Sequence, residues 1–127
     1  MDLKAYFENT QGLGVLATAD ASGKVNTAVY ARAHILEDGS IAMIMRDRLT
    51  HHNLSSNPHA SYLFKEEGKG YKGRRFHLTK IREEKESELL HQLKRRQYLN
   101  EKDEGQDPKY LVIFQLDKEL PLIGAGG

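Results

Sequence analysis

The chain of 127 residues contains no cysteine. Disulfides, thiolate catalysis, iron–sulfur clusters and cysteine-based zinc sites are therefore excluded, and the composition fits a cytoplasmic protein. Charge of one sign is also lacking: the formal net charge is +1, which points to neither a nucleic-acid partner nor an anionic membrane. No apolar run approaches the ~18–20 residues needed to span a bilayer. The start, Met1-Asp2-Leu3-Lys4, has an acid where a signal peptide would be basic, with no apolar stretch behind it. Repeats, long linkers, paired catalytic acids, a nucleophile–base arrangement and a glycine-rich dinucleotide fingerprint are all missing. If the protein is an enzyme, a bound cofactor supplies the chemistry.

What is present describes one ordinary globular domain over residues 1–127, 39% hydrophobic and 29% charged. Asp2 can cap a short helix whose Leu3, Tyr6 and Phe7 share a face. Gly14 to Ala19 reads as a strand, Asp20-Ala21-Ser22-Gly23-Lys24 as a hairpin turn, and Val25 to Ile35 as its partner. Glu37-Asp38-Gly39-Ser40 is a second turn and Ile41 to Arg46 a third strand. Leu49 to Ser56 is a short helix stopped by Asn57-Pro58, because a residue before proline avoids helical dihedrals. His59 to Lys65 and Arg75 to Ile81 are further strands around a loop rich in glycine and lysine. From Glu83 the period becomes helical, with acids in front and Lys94, Arg95 and Arg96 behind, as the helix dipole favours. Asn100 to Pro108 reads as a loose loop. Lys109 to Leu116 is the strongest strand signal, followed by Leu120-Pro121-Leu122-Ile123 and a glycine-rich end. Six short strands with helices at the corners predict a small antiparallel barrel.

The segment Arg46-Asp47-Arg48-Leu49-Thr50-His51-His52-Asn53 joins an apolar strand to the short helix. Two guanidiniums and a threonine hydroxyl fall at the helix start, where first-turn N–H groups and the dipole favour a phosphate. A phosphate seat at the end of a strand suggests a nucleotide-type ligand lying along the sheet. Singly, Arg46 and Arg48 would read as solvated charges. Their placement at a strand–helix junction raises them above that.

A wider ordered pattern surrounds this seat: Val15-Leu16-Ala17-Thr18-Ala19-Asp20, Ser22-Gly23, Val25-Asn26-Thr27-Ala28, Asp38-Gly39, the apolar strand, then Arg48, Asn53-Leu54, Asn57-Pro58 and Ser61. This order resembles the pyridoxamine 5′-phosphate oxidase-like FMN-binding split barrels and their small bacterial FMN-binding members, over Gly12 to about Ile81. The resemblance implies a mainly β, six-stranded antiparallel Greek-key split barrel with flanking helices. It also implies a homodimer with FMN in two symmetric grooves between subunits. Arg48 and Thr50 would take the phosphate, with Arg46 as a further contact. Leu49 and Thr50 stand where the family often has a basic pair. Asn26, Thr27 and Ala28 match the strand under the flavin, Met43, Ile44 and Met45 the strand along the isoalloxazine edge, and Asn53 a helix position near the ribityl phosphate. The loop from Glu66 to Arg75, with Tyr71 and Arg74, would reach the neighbouring subunit's flavin.

Each of these residues also has a plainer role. Met43, Ile44 and Met45 fit barrel core as well as a flat apolar flavin slot. The 66–75 loop fits a solvated hairpin tip as well as a mobile cover over a ligand groove. The histidines read as surface or helix-end residues rather than metal ligands, since adjacent His51 and His52 point about 100° apart on a helix. The segment from Glu83 onward does not resemble the end of true pyridoxamine-phosphate oxidases, so oxidation of vitamin B6 is not expected. A flavoenzyme acting on a small molecule or redox partner, a non-catalytic FMN-binding or electron-transfer protein, and a haem-binding split barrel stand as the functional readings.

Overall fold

A computed structural model describes residues 2–97 and 109–124. In chain order these form α1 (Leu3–Asn9), β1 (Gly12–Ala19), β2 (Val25–Tyr30), β3 (His34–Ile35), β4 (Ile41–Arg46), α2 (Leu49–Ser56), β5 (His59–Glu66), β6 (Gly73–Lys85), α3 (Glu88–Gln97) and β7 (Lys109–Pro121). The strands make one antiparallel sheet in the order β2-β1-β5-β6-β7-β4-β3. β5, β6 and β7 are successive neighbours, and β4 lies beside β7 after a long connection through α2, which is a Greek-key arrangement.

The sheet has seven strands, not the six expected. The predicted strand Val25 to Ile35 is broken at residues 31–33, and its two parts, β2 and β3, occupy opposite edges. Laid flat, six inter-strand gaps would separate those edges by roughly 29 Å. The four residue steps from Tyr30 to His34 reach at most about 14 Å. The sheet therefore curls, and residues 31–33 stitch its edges together. Tyr62 donates its hydroxyl to the Ala31 carbonyl at 2.9 Å, and Arg32 donates to the carbonyls of Phe7 at 2.8 Å and Thr10 at 3.2 Å.

Alternation within the strands builds the core. Leu16, Met43, Met45, Tyr62, Phe64, Phe76, Leu78, Val112 and Phe114 point inward, and α1 closes one end with Tyr6 and Phe7. The other faces of β4 and β7 carry Ala42, Ile44, Leu111 and Ile113, covered by Leu90 and Leu93 of α3. Burial on both faces explains why Ile41 to Met45 is continuously apolar rather than alternating. It also absorbs the apolar run of β7, so that run is no spare surface for a partner.

The helix expected from Glu83 begins later. Glu83 and Glu84 pair with Val112 and Leu111 as part of β6, Glu86 turns the chain at φ 48°, and the Ser87 hydroxyl accepts the Leu90 N–H at 3.1 Å to cap α3. The cross-strand ladder outweighs the acidic cluster's helical signal. The expected loop over Asn100 to Pro108 and the last three residues lie outside the described residues. No helix among the described residues is long and apolar enough to cross a membrane.

Candidate functional site

A cleft of about 720 Å³ opens where β2, the end of β4 and the start of α2 converge, within the ~300–1,000 Å³ typical of small-molecule sites. Asn26, Thr27, Ala28, Ile44, Met45, Arg46, Arg48, Leu49 and Thr50 all line it. The geometry follows from local sequence. Arg48 has extended dihedrals, φ −132° and ψ −166°, and is the N-cap of α2 without a side-chain cap bond. Its N–H bonds back to the Arg46 carbonyl at 2.9 Å. That tight turn brings Arg46 and Arg48 to the cleft beside a first helical turn whose N–H groups have no carbonyl four residues behind them. Thr50 is buried and Leu49 is 57% exposed over the cleft.

The remaining candidates lie elsewhere. Met43 is 2% exposed and packs into the barrel core. Asn53 is buried and donates to the Thr18 hydroxyl at 3.1 Å, so it anchors α2 on β1. Tyr71 is 75% exposed at the tip of the β5–β6 loop. Arg74 stacks 4.1 Å from the Tyr6 ring centroid and pairs with Glu119 at 3.2 Å. Tyr6 in turn donates to Glu66 at 2.7 Å. Burial, reinforced by that bond and the Glu66 charge, pushes the Tyr6 hydroxyl well above its ordinary pKa.

Two residues escaped the sequence reading. Lys109 lines the cleft because β7 pairs with β4 in a register that sets its Cα opposite Arg46. No local signal could link positions so far apart. His51, read as a surface or helix-end histidine, is 7% exposed. Its ring stacks on Tyr110 with centroids 3.9 Å apart and 18° between planes. Nδ1 lies 3.0 Å from Asp47 Oδ1 and Nε2 lies 3.0 Å from Glu83 Oε1. Burial opposes the charge on Glu83, but the Lys80 ammonium at 2.7 Å and His51 outweigh it and hold the carboxyl below its ordinary range. Among the described residues no group of three or more His, Asp or Glu side chains could hold a metal ion.

No protein-family model matches the chain, and no curated protein matches it in sequence. Solved structures do match in shape. An FMN-binding protein from Syntrophomonas wolfei subsp. wolfei aligns at TM-score 0.77 and 21% identity, over 96% of this chain and 84% of that one. HutZ, the haem storage protein from Vibrio cholerae, aligns at 0.69 and 20%, over 94% and 92%. A candidate pyridoxamine 5′-phosphate oxidase from Lactobacillus delbrueckii aligns at 0.66 and 12%, over 94% and 92%. The chain thus has the fold of the FMN-binding and pyridoxamine 5′-phosphate oxidase-like split-barrel proteins.

Proposed function

We propose that this protein binds FMN in the β2–β4–α2 cleft and serves as a flavoprotein oxidoreductase. The observation that carries the reading is the meeting of an uncapped helix start with three cationic residues, Arg46, Arg48 and Lys109, at one end of a mostly apolar slot. A phosphomonoester is dianionic near neutral pH, and this arrangement offers charge-assisted donors to it. The β2 backbone beside Asn26, Thr27 and Ala28 and the β4 end at Ile44 and Met45 supply edges suited to a flat ring with polar rims. Bound FMN would supply electron or hydride transfer, and the chain would supply binding and orientation.

The working unit in this proposal is a homodimer. Val25 and Val29 on the outer face of β2 are 77% and 71% exposed, and Leu13 on β1 is 50% exposed. Exposed apolar surface of this kind supports an interface. A symmetric mate there would bring its 66–75 loop, with Tyr71 and Arg74, toward the flavin.

Reconstitution with FMN tests the reading. Absorption bands near ~370 and ~450 nm and about one FMN per chain are expected. A colourless protein that leaves FMN fluorescence unchanged at micromolar concentration would refute it. The fold likeness to HutZ favours haem as the second reading, but no histidine lines the cleft. A Soret band after haem addition, with no flavin uptake, would select it. NAD(P)H oxidation by the flavin-loaded protein would separate an enzyme from a non-catalytic carrier.

A further inference from the structure

The phosphate seat just described depends on a helix that cannot hold itself. α2 has eight residues, too few to be stable without tertiary support, and its N-cap side chain makes no cap bond. Asn53 fixes the middle of the helix on β1. The first turn, which carries the seat, is fixed by His51.

One face and both nitrogens of the His51 ring are engaged. One face lies on Tyr110 of β7, Nδ1 meets Asp47 from the turn before the helix, and Nε2 meets Glu83 of β6. Lys80 of β6 holds Glu83 from the other side. His52 lies beside the cluster, 70% exposed and 3.7 Å from Asp47. Lys85 stands 5.9 Å from the Tyr110 ring. Asp47 is the residue between Arg46 and Arg48, so the contact from His51 ties down the turn that carries both arginines. The same bond holds a carboxylate against the imidazole, beside the place where an anion would sit.

We propose that His51 is the positioning residue of the phosphate seat and sets the preference for a phosphorylated flavin over its unphosphorylated form. This rests on the FMN reading of the cleft and goes beyond it, because His51 itself does not line the cleft. Loss of the imidazole removes the ties to β6 and β7 together and takes the 3.0 Å contact from Asp47, leaving it His52 at 3.7 Å. The cost then falls on the phosphate rather than on the ring slot, which β2 and β4 form without His51.

Titrations of the full chain with FMN and with riboflavin test this. His51→Ala is expected to weaken FMN by about tenfold, as for a charge-assisted contact held out of place, and riboflavin by less than about twofold. Glu83→Gln keeps an acceptor but loses the charge, and is expected to weaken FMN by about threefold with riboflavin unchanged. It serves as the second variant if His51→Ala does not fold. His52→Ala is expected to change neither. Equal losses for both flavins in both His51→Ala and Glu83→Gln would make the cluster merely structural and overturn the proposal, as would unchanged FMN affinity. A wild-type chain that binds neither flavin would instead refute the FMN reading, and this inference with it.

Discussion

Arg46 on β4 stands directly opposite Lys109 on β7, so the antiparallel ladder itself places two cationic residues in the lining of the cleft. Lys109 is nevertheless only 4% exposed, and its N–H is held by Glu86 at 2.9 Å. Its position is set by backbone pairing rather than by chance on a surface.

Lys109→Gln is therefore expected to weaken FMN by roughly tenfold while leaving riboflavin nearly unaffected. The native protein should also lose FMN affinity as salt rises from about 50 to 500 mM, since screening acts on the phosphate contact. Fluorescence-quenching titrations read both effects. A salt-independent affinity would remove the phosphate from this end of the cleft.

Gly14→Ala should destabilise the fold by roughly 1–3 kcal/mol, the range for overpacking a core. A Cβ at Gly14 would collide with the Tyr62 hydroxyl and lie 2.7 Å from the Tyr30 carbonyl oxygen. The Tyr62 hydroxyl is the group that holds Ala31 in the edge-stitching segment. At Gly23 a Cβ would meet open space, and only the left-handed φ of 89° opposes substitution. Urea unfolding of Gly23→Ala should show the smaller loss, about 1 kcal/mol. The reverse order would mean that β1 and β5 can separate freely.

Acid should destabilise the protein. The Thr79 hydroxyl holds Asp117 below its ordinary pKa, and the Ser22 and Ser40 hydroxyls do the same for Asp20 and Asp38. Glu83 is lowered by Lys80 and His51 against its own burial. With folded values below unfolded ones, the unfolded chain binds more protons in between. The stabilisation is then complete above about pH 5 and is lost as pH falls below about 4. Urea midpoints across that interval should drop steadily, and Lys80→Met should shrink the part due to Glu83. A midpoint flat from about pH 6 to 3 would contradict these assignments.

Val25→Asp should give a monomer that binds FMN poorly if the exposed valines of β2 meet a symmetric mate. A charge in a desolvated interface core is strongly unfavourable. Sedimentation velocity at matched concentrations reads the change in mass. A variant that stays dimeric would move the interface to another face.

Much of this fold was legible locally. Ile41 to Arg46 and Leu49 to Ser56 fall where the apolar run and Asn57-Pro58 place them, because strand burial and proline sterics act over a few residues. The cleft was legible where it is built from those same segments. What escaped depends on partners distant in sequence. His51 is buried only because Glu83 and Tyr110 arrive beside it. Lys109 joins the cleft only through a register. The acids at Glu83 and Glu84 mimic a helix start, and only their pairing with Val112 and Leu111 reveals a strand.

The strand order has a consequence for synthesis. β7 follows the other six described strands in sequence yet sits between β6 and β4. Until it emerges from the ribosome, β2-β1-β5-β6 and β4-β3 are two separate ribbons, with the inner edges of β6 and β4 unpaired. Such edges are adhesive toward other chains. Lys109 and Tyr110, at the head of β7, complete the cleft and the His51 stack in the same event that closes the sheet. A nascent chain lacking this strand therefore has neither the complete cleft nor the His51 stack.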